Sequence, residues 1–226
     1  MAKQKRNSDH AKKLSLAVVH LQKDRKLSKI ISNVGDCKIR VIENPFEALI
    51  DGIITQQVSD AAGKAIAARF RELFNGAFPH PEQILQKSVT QIKSAGLSKM
   101  KAEYILGIAK LVDSKSLIFD SFAELDDSIV IDELVKIRGV GRWTAEMFLI
   151  FGLGRLDILP LGDLGLRNGI AKLFEISKPT DEQIIKIASK WSPYRTVATW
   201  YIWKGDRKST RLNSSHPSRS RMPSSA

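Results

Sequence analysis

The stretch Arg138-Gly139-Val140-Gly141-Arg142 sets two glycines one residue apart between two apolar segments. Such a pair lets a backbone turn tightly and offers a small face that another molecule can approach closely. If a helix begins at the second arginine, its first amides point outward. Free N–H groups and the positive helix end then both suit a phosphate oxygen. Taken alone, the pattern reads more readily as a plain turn between packed helices. Further along, Pro160-Leu161-Gly162-Asp163-Leu164-Gly165 places one carboxylate just ahead of another helical segment. Aspartate at that place is a helix cap, and the helix terminus would keep it ionised, as a fixed anion. The single cysteine, Cys37, excludes an internal disulfide framework, a cysteine zinc site and a four-cysteine iron–sulfur cluster. Chemistry must then come from carboxylates, aromatic rings and backbone.

The segments around these residues read as helices. Phe46, Leu49, Ile50, Ile53 and Ile54 fall on one stripe over 45–57, with Asn44 as cap, Pro45 in the first turn and Glu47 as a capping-box acid. A second amphipathic segment, 59–74, carries Ala62, Ile66, Phe70 and Phe74, and Asn75-Gly76 with Pro79 and Pro81 ends it. Short helices are expected at 81–86 and 88–94. Gly96 then acts as a stop and Ser98 as the cap of a helix reaching Val112, with Tyr104, Ile105, Ile108 and Leu111 inward. Segments at 121–125 and 130–137 lead into the glycine hairpin, and 143–152 is again helical. Thr180 with Gln183 forms a capping box, and Ser192-Pro193 opens a last helix through Trp203. Beyond a possible short strand at 37–42 there is no period-2 alternation. The fold class expected is all-α.

The formal charge of +12 favours a polyanionic partner, because neutralised phosphates release counterions. Part of it comes from 206–226, DRKSTRLNSSHPSRSRMPSSA, whose large apolar residues are Leu212 and Met222. Such a stretch cannot bury a core. Its start back-translates, with suitable codons, to GATCGGAAGAGCACACGTCTG, a sequencing-library adapter read in frame. A disordered, adapter-derived tail is therefore expected at 206–226, the alternative being a natural basic tail that helps to hold a polyanion. Without it the charge is 31 minus 23, or +8, which is still basic. No apolar run approaches the roughly 18 residues that span a bilayer, and the basic start MAKQKRNSDHAKK lacks the apolar core of a secretory signal. A soluble protein that stays where it is made is expected, with residues 1–13 as a basic flexible leader.

From Ile137 to Leu166 the sequence IRGVGRWTAEMFLIFGLGRLDILPLGDLGL closely resembles the helix-hairpin-helix and aspartate loop of the helix-hairpin-helix DNA glycosylase superfamily, specifically its DNA-3-methyladenine glycosylase II (AlkA-like) branch. Upstream, IITQQVSDAAGKAIAARF, FPHPEQIL and GLSKMKAEYI are similar to that branch's order of elements, and downstream WSPYRTVATWYIW is similar to its closing helix. The resemblance covers about residues 14–204. It implies a two-lobed helical bundle with the active-site cleft between lobes, and one glycosylase domain over 14–204.

The resemblance makes Asp163 the catalytic carboxylate. Breaking an N-glycosidic bond builds positive charge on the sugar, which a fixed anion stabilises more than the neutral ground state. The same group can orient or deprotonate the attacking water. Bifunctional relatives carry a lysine near the start of the second hairpin helix, where Trp143 stands here, and no lysine lies between Lys136 and Lys172. A covalent amine mechanism thus has no obvious nucleophile. Trp143, Met147 and Trp203 match base-pocket positions, where aromatic faces suit electron-poor methylated bases; core packing is the plain alternative. Trp191 and Trp200 read as core. Gln57 matches the residue that fills the gap left by an extruded base, or else is a helix-end residue bonded to backbone; Gln56 reads as structural. Gly139, Val140, Gly141, Arg142 and Thr144 complete the expected DNA-binding set, with Arg138 as an added phosphate contact.

The implied function is a monofunctional glycosylase acting on alkylated purines of the 3-methyladenine type in duplex DNA, during base excision repair. It is expected to act as a monomer with no redox cofactor or catalytic metal, in the cytoplasm with the nucleoid if the source is prokaryotic. Two other readings stand beside it: a non-catalytic helix-hairpin-helix DNA-binding module, and a bifunctional glycosylase/lyase for oxidised bases.

Overall fold

The computed structural model describes the backbone of residues 2–214 and the side chains of residues 9–205. In chain order the α-helices are α1 (Ala2–Leu21), α2 (Arg25–Val34), α3 (Pro45–Thr55), α4 (Asp60–Glu72), α5 (Pro81–Leu85), α6 (Val89–Lys93), α7 (Lys99–Asp113), α8 (Asp127–Leu134), α9 (Arg142–Phe151), α10 (Leu164–Phe174), α11 (Asp181–Ala188) and α12 (Arg195–Ser214). The described residues contain no strand, so the all-α expectation holds. The chain forms two compact units, one of residues 40–162 and one that joins 1–39 to 163–226. The single sequence block 14–204 therefore divides in space, because the first and last helices pack on each other.

In the unit of residues 40–162, α3 is central, with α9, α7 and α4 packed on it and α5 and α6 on α7. The Asn44 side chain accepts from the amides of Phe46 and Glu47, and Pro45 occupies the first turn. Phe46, Leu49, Ile50, Ile53 and Ile54 are all buried. Each contributes about 1.5–3 kcal/mol of gross burial, enough to make this helix the core of its unit. Glu47, expected to complete a capping box, instead reaches across to α4, where Arg71 Nη2 lies 2.6 Å from Glu47 and 3.3 Å from Asp51. Burial pushes the Asp51 carboxyl above its ordinary range, against the pull of Arg71. On α4 it is Gly63, with Ile66 and Phe70, that turns inward, while Ala62 is exposed. The possible strand at 37–42 is absent; Ile42 N donates to Phe151 O at the end of α9, for want of any partner strand.

In the other unit, α12 packs on α2, α10 and α1. Gly169 of α10 is essential to that contact, since a β-carbon there would overlap the Ile202 side chain. Asp24 caps α2 through the amides of Lys26 and Leu27 and also receives the Trp191 indole at 2.8 Å and Lys190 Nζ at 2.9 Å. Trp191 is fully buried and Trp200 nearly so, as their reading as core requires. α1 begins at Ala2 and takes in most of the stretch read as a basic leader, 1–13. Leu14, Ala17 and Leu21 are buried and anchor that helix. With no glycine or proline before them, propagation toward the N-terminus costs little. α12 runs on past Gly205 to Ser214, into the stretch read as an adapter-derived tail. Residues 215–226 of that expected tail lie outside the described residues.

Candidate functional site

The glycine hairpin joins α8 to α9. Val140 N donates to Ile137 O at 3.0 Å and closes the turn, and Gly139 sits at φ +92, a left-handed backbone that L side chains rarely adopt. A β-carbon on Gly139 would overlap the ring of Tyr104 on α7. Gly141 differs: its backbone is extended, and a β-carbon there would meet nothing within 4 Å. The two glycines thus divide the work expected of both. Gly139 allows the turn and a close approach inside the protein, and Gly141 leaves an open face outside it. The Val140 side chain is buried, so what it can offer a ligand is backbone.

Gly141 is the cap of α9, and the first intrahelical bond runs from Ala145 N to Gly141 O. First-turn amides ahead of such a bond have no acceptor within the helix. Arg142 is exposed and pairs with the buried Glu146 at 3.0 Å; Arg138, also exposed, stands 5.8 Å over the Tyr104 ring. Thr144 turns inward. Its side chain is buried, its hydroxyl accepts from Gln56 Nε2 at 2.8 Å, and its methyl packs at Gly52. The hydroxyl thus faces Gln56, and the Thr144 amide stands in the first turn of α9.

The loop after α3 is tied to this hairpin. Gln56 Nε2 donates to Gly139 O at 2.9 Å as well as to Thr144, in keeping with its structural reading. Lys101 Nζ donates to the carbonyls of Ile54 and Gln56 at 2.8 and 2.7 Å and closes the C-terminal end of α3; burial draws its pKa down. Gln57, the next residue, is exposed and held at φ +52. Trp143 is half-buried at the start of α9, and Met147, one turn on, is buried with 6% of its surface exposed.

Asp163 lies in the other unit as the cap of α10. Leu166 N donates to Asp163 Oδ1 at 2.6 Å, and the Trp203 indole Nε1 donates to the same oxygen at 2.7 Å. Gly165 leaves room for this pair: a β-carbon there would stand 3.0 Å from Trp203 Cδ1 and 3.2 Å from Asp163 Oδ1. The cap reading of Asp163 therefore holds, and the half-buried Trp203, read as a base-pocket residue, directs its polar edge at the carboxylate. Sequence reasoning missed three features here: Tyr104 against Gly139, the Gln56 bridge, and the indole–carboxylate bond. The one available signal was the Gly165 and Gly169 spacing, four apart on one helix face, which marks a close helix approach. Among the described residues no three His, Cys, Asp or Glu side chains come together as a metal site. Nor is any described helix long and apolar enough to cross a membrane.

Three comparisons place this architecture. Residues 50–193 match the HhH-GPD superfamily of base excision DNA repair proteins. The chain is 37% identical over 187 residues to the alkylbase DNA glycosidase-like protein mag2 of Schizosaccharomyces pombe, covering 80% of this chain and 88% of that one. It is 35% identical over 198 residues to DNA-3-methyladenine glycosylase 1 of the same organism, covering 84% and 87%. Among solved structures it is similar to the S. pombe 3-methyladenine DNA glycosylase in complex with abasic DNA, with a TM-score of 0.76 at 34% identity, over 83% of this chain and 95% of that one. With its all-helical fold, its glycine hairpin and its capped aspartate in place, this chain belongs to the HhH-GPD superfamily of base excision DNA repair proteins.

Proposed function

We propose that this protein is a monofunctional DNA glycosylase that hydrolyses the N-glycosidic bond of alkylated purines, of the 3-methyladenine type, in duplex DNA. The observation that carries the reading is Asp163: a carboxylate that accepts from two N–H donors at a helix N-terminus, downstream of the glycine hairpin in the chain. The C1′–N bond breaks with its electrons leaving on the base. Asp163 stabilises the positive charge that develops on the sugar, and a water molecule forms the new C1′–O bond as its proton is taken up by the carboxylate. A methylated purine carries positive charge before the bond breaks, so it leaves readily, and an anion at the sugar suffices without a lysine nucleophile.

The other residues take roles that their settings support. The Gly141 face, the first-turn amides of α9 and Arg142 bind a DNA phosphate, a contact that positions without reading sequence. Gln57, exposed and presented by a left-handed backbone, fills the gap left by the extruded base. Trp143 offers its ring to that base, and Met147 backs it from the core. The protein acts on damaged DNA as a monomer, in the cytoplasm with the nucleoid if the source is prokaryotic.

The test is to incubate the purified protein with methylated duplex DNA and follow base release and strand scission separately. Base release without scission, reduced at least about 100-fold in Asp163→Asn, is the expected result. Release with scission would favour a lyase, and no release from any damaged duplex would leave only a DNA-binding module.

A further inference from the structure

From the contact between the Trp203 indole and the Asp163 carboxylate we infer that Trp203 is a positioning residue for this reaction: it holds the carboxylate in the one orientation that can face the sugar. The inference rests on the glycosylase reading and adds to it a role for the indole N–H, distinct from stacking on a base.

Two donors converge on one oxygen from different elements. Leu166 N is part of the α10 backbone and bonds any carboxylate that caps this helix, at 2.6 Å here. The second donor, Trp203 Nε1 at 2.7 Å, comes from α12 and grips the same oxygen from a different element. Both bonds are charge-assisted, the stronger class of protein hydrogen bond. A group that must meet charge only as it develops works best when already oriented, because nothing then has to reorganise during the reaction.

The packing is arranged for this contact. Gly165 and Gly169 lie one turn apart on α10 and face Trp203 and Ile202 of α12. Glycine at either place weakens a helix. In exchange, α12 comes near enough for a rigid ring to reach the cap residue of its neighbour. The indole N–H lies in the plane of the ring, so its bond to the acid is a role separate from any contact made by the ring face. The same unit repeats the pairing deep in its core, where the Trp191 indole donates to the cap aspartate Asp24 at 2.8 Å. There it holds a fold; at Asp163 the ring is only half-buried and the carboxylate is the one the reaction uses.

The test is single-turnover base release from methylated duplex DNA, over a range of enzyme concentrations, by the wild type, Asp163→Asn, Trp203→Phe and Gly165→Ala. Phenylalanine keeps an aromatic face and removes the N–H. A positioning role predicts that Trp203→Phe lowers the maximal rate constant on the order of 10- to 100-fold and moves the half-saturating concentration by no more than about twofold. It also predicts that combining Trp203→Phe with Asp163→Asn gives no further loss, since the indole acts through the carboxylate. An unchanged maximal rate with a raised half-saturating concentration would assign Trp203 to base binding and overturn the inference; so would additive losses in the double variant. Should Trp203→Phe fail to fold, Gly165→Ala decides. Its added methyl presses between ring and acid while favouring the helix, so a lower maximal rate at undiminished thermal stability supports the role, and an unchanged rate overturns it. Failure of the wild type to release any base would overturn the glycosylase reading and this role together.

Discussion

Gly139 stands against the face of Tyr104 so closely that a β-carbon on the glycine would overlap the ring. The turn that presents the hairpin is thus held from inside the protein by an aromatic residue 35 positions earlier, while Gly141 keeps the outer face open. The two glycines should accordingly fail in different ways.

Gly139→Ala forces a methyl into the Tyr104 ring at a left-handed backbone, and is expected to cost about 1–3 kcal/mol of stability. Gly141→Ala has an extended backbone and open space, so its stability should stay within about 0.5 kcal/mol of the wild type. Its DNA affinity should nonetheless fall, because the methyl occupies the face offered to a phosphate. Thermal unfolding and fluorescence anisotropy with a labelled duplex separate the two. Equal affinity of Gly141→Ala and the wild type would remove the hairpin face from the binding surface.

Gln56 and Gln57 are neighbours with opposite settings. Gln56→Ala strips a donor from the Gly139 carbonyl and the Thr144 hydroxyl, and should cost about 1–2 kcal/mol. Gln57→Ala changes an exposed side chain and should leave the melting temperature unchanged. If Gln57 fills the gap behind an extruded base, its removal slows release of a paired damaged base more than release of the same base opposite a mismatch, which is already loosely stacked. Equal slowing on both substrates counts against that role.

Asp24 links acid stability to the packing of the terminal unit. Burial acts to raise its pKa, but the Trp191 indole, Lys190 and the two cap amides outweigh it and hold the carboxyl below its ordinary range. A depressed carboxyl stabilises the fold above its unfolded pKa, near 4, and that contribution is lost as pH falls through the folded value. Asp24→Asn should therefore be about 1–3 kcal/mol less stable at pH 7, with the gap closing in acid as pH falls through the depressed folded value. Urea unfolding across that range gives the answer; a gap that persists in acid would mean that packing, not charge, supplies the difference.

Cys37 should be inert in the folded protein. Burial pushes its thiol up to about 11, so very little thiolate exists at neutral pH. Alkylation by iodoacetamide at pH 7.5 should run on the order of a hundredfold slower than in the unfolded chain. Native labelling as fast as that of a free thiol would show that this segment opens readily.

Much of this was legible in one dimension. The caps at Asn44, Ser98 and Thr180 set helix starts through bonds that span two or three residues, and the apolar stripe of 45–57 marked the core of its unit, because such signals are local and periodic. The glycine hairpin was legible as a local turn signal, while the role of Asp163 came from the resemblance of 137–166 to a known family. Contacts between distant segments were beyond that reach. That Gly139 needs Tyr104, that Thr144 turns its hydroxyl inward to Gln56, and that Trp203 gives its indole N–H to Asp163 all depend on which helix faces meet. Those meetings are decided by side-chain shape and burial across the whole unit, to which neither composition nor spacing gives access. The sequence alone thus set the helix starts and the residues expected to carry the chemistry, and the tertiary packing decided which neighbours hold them in place.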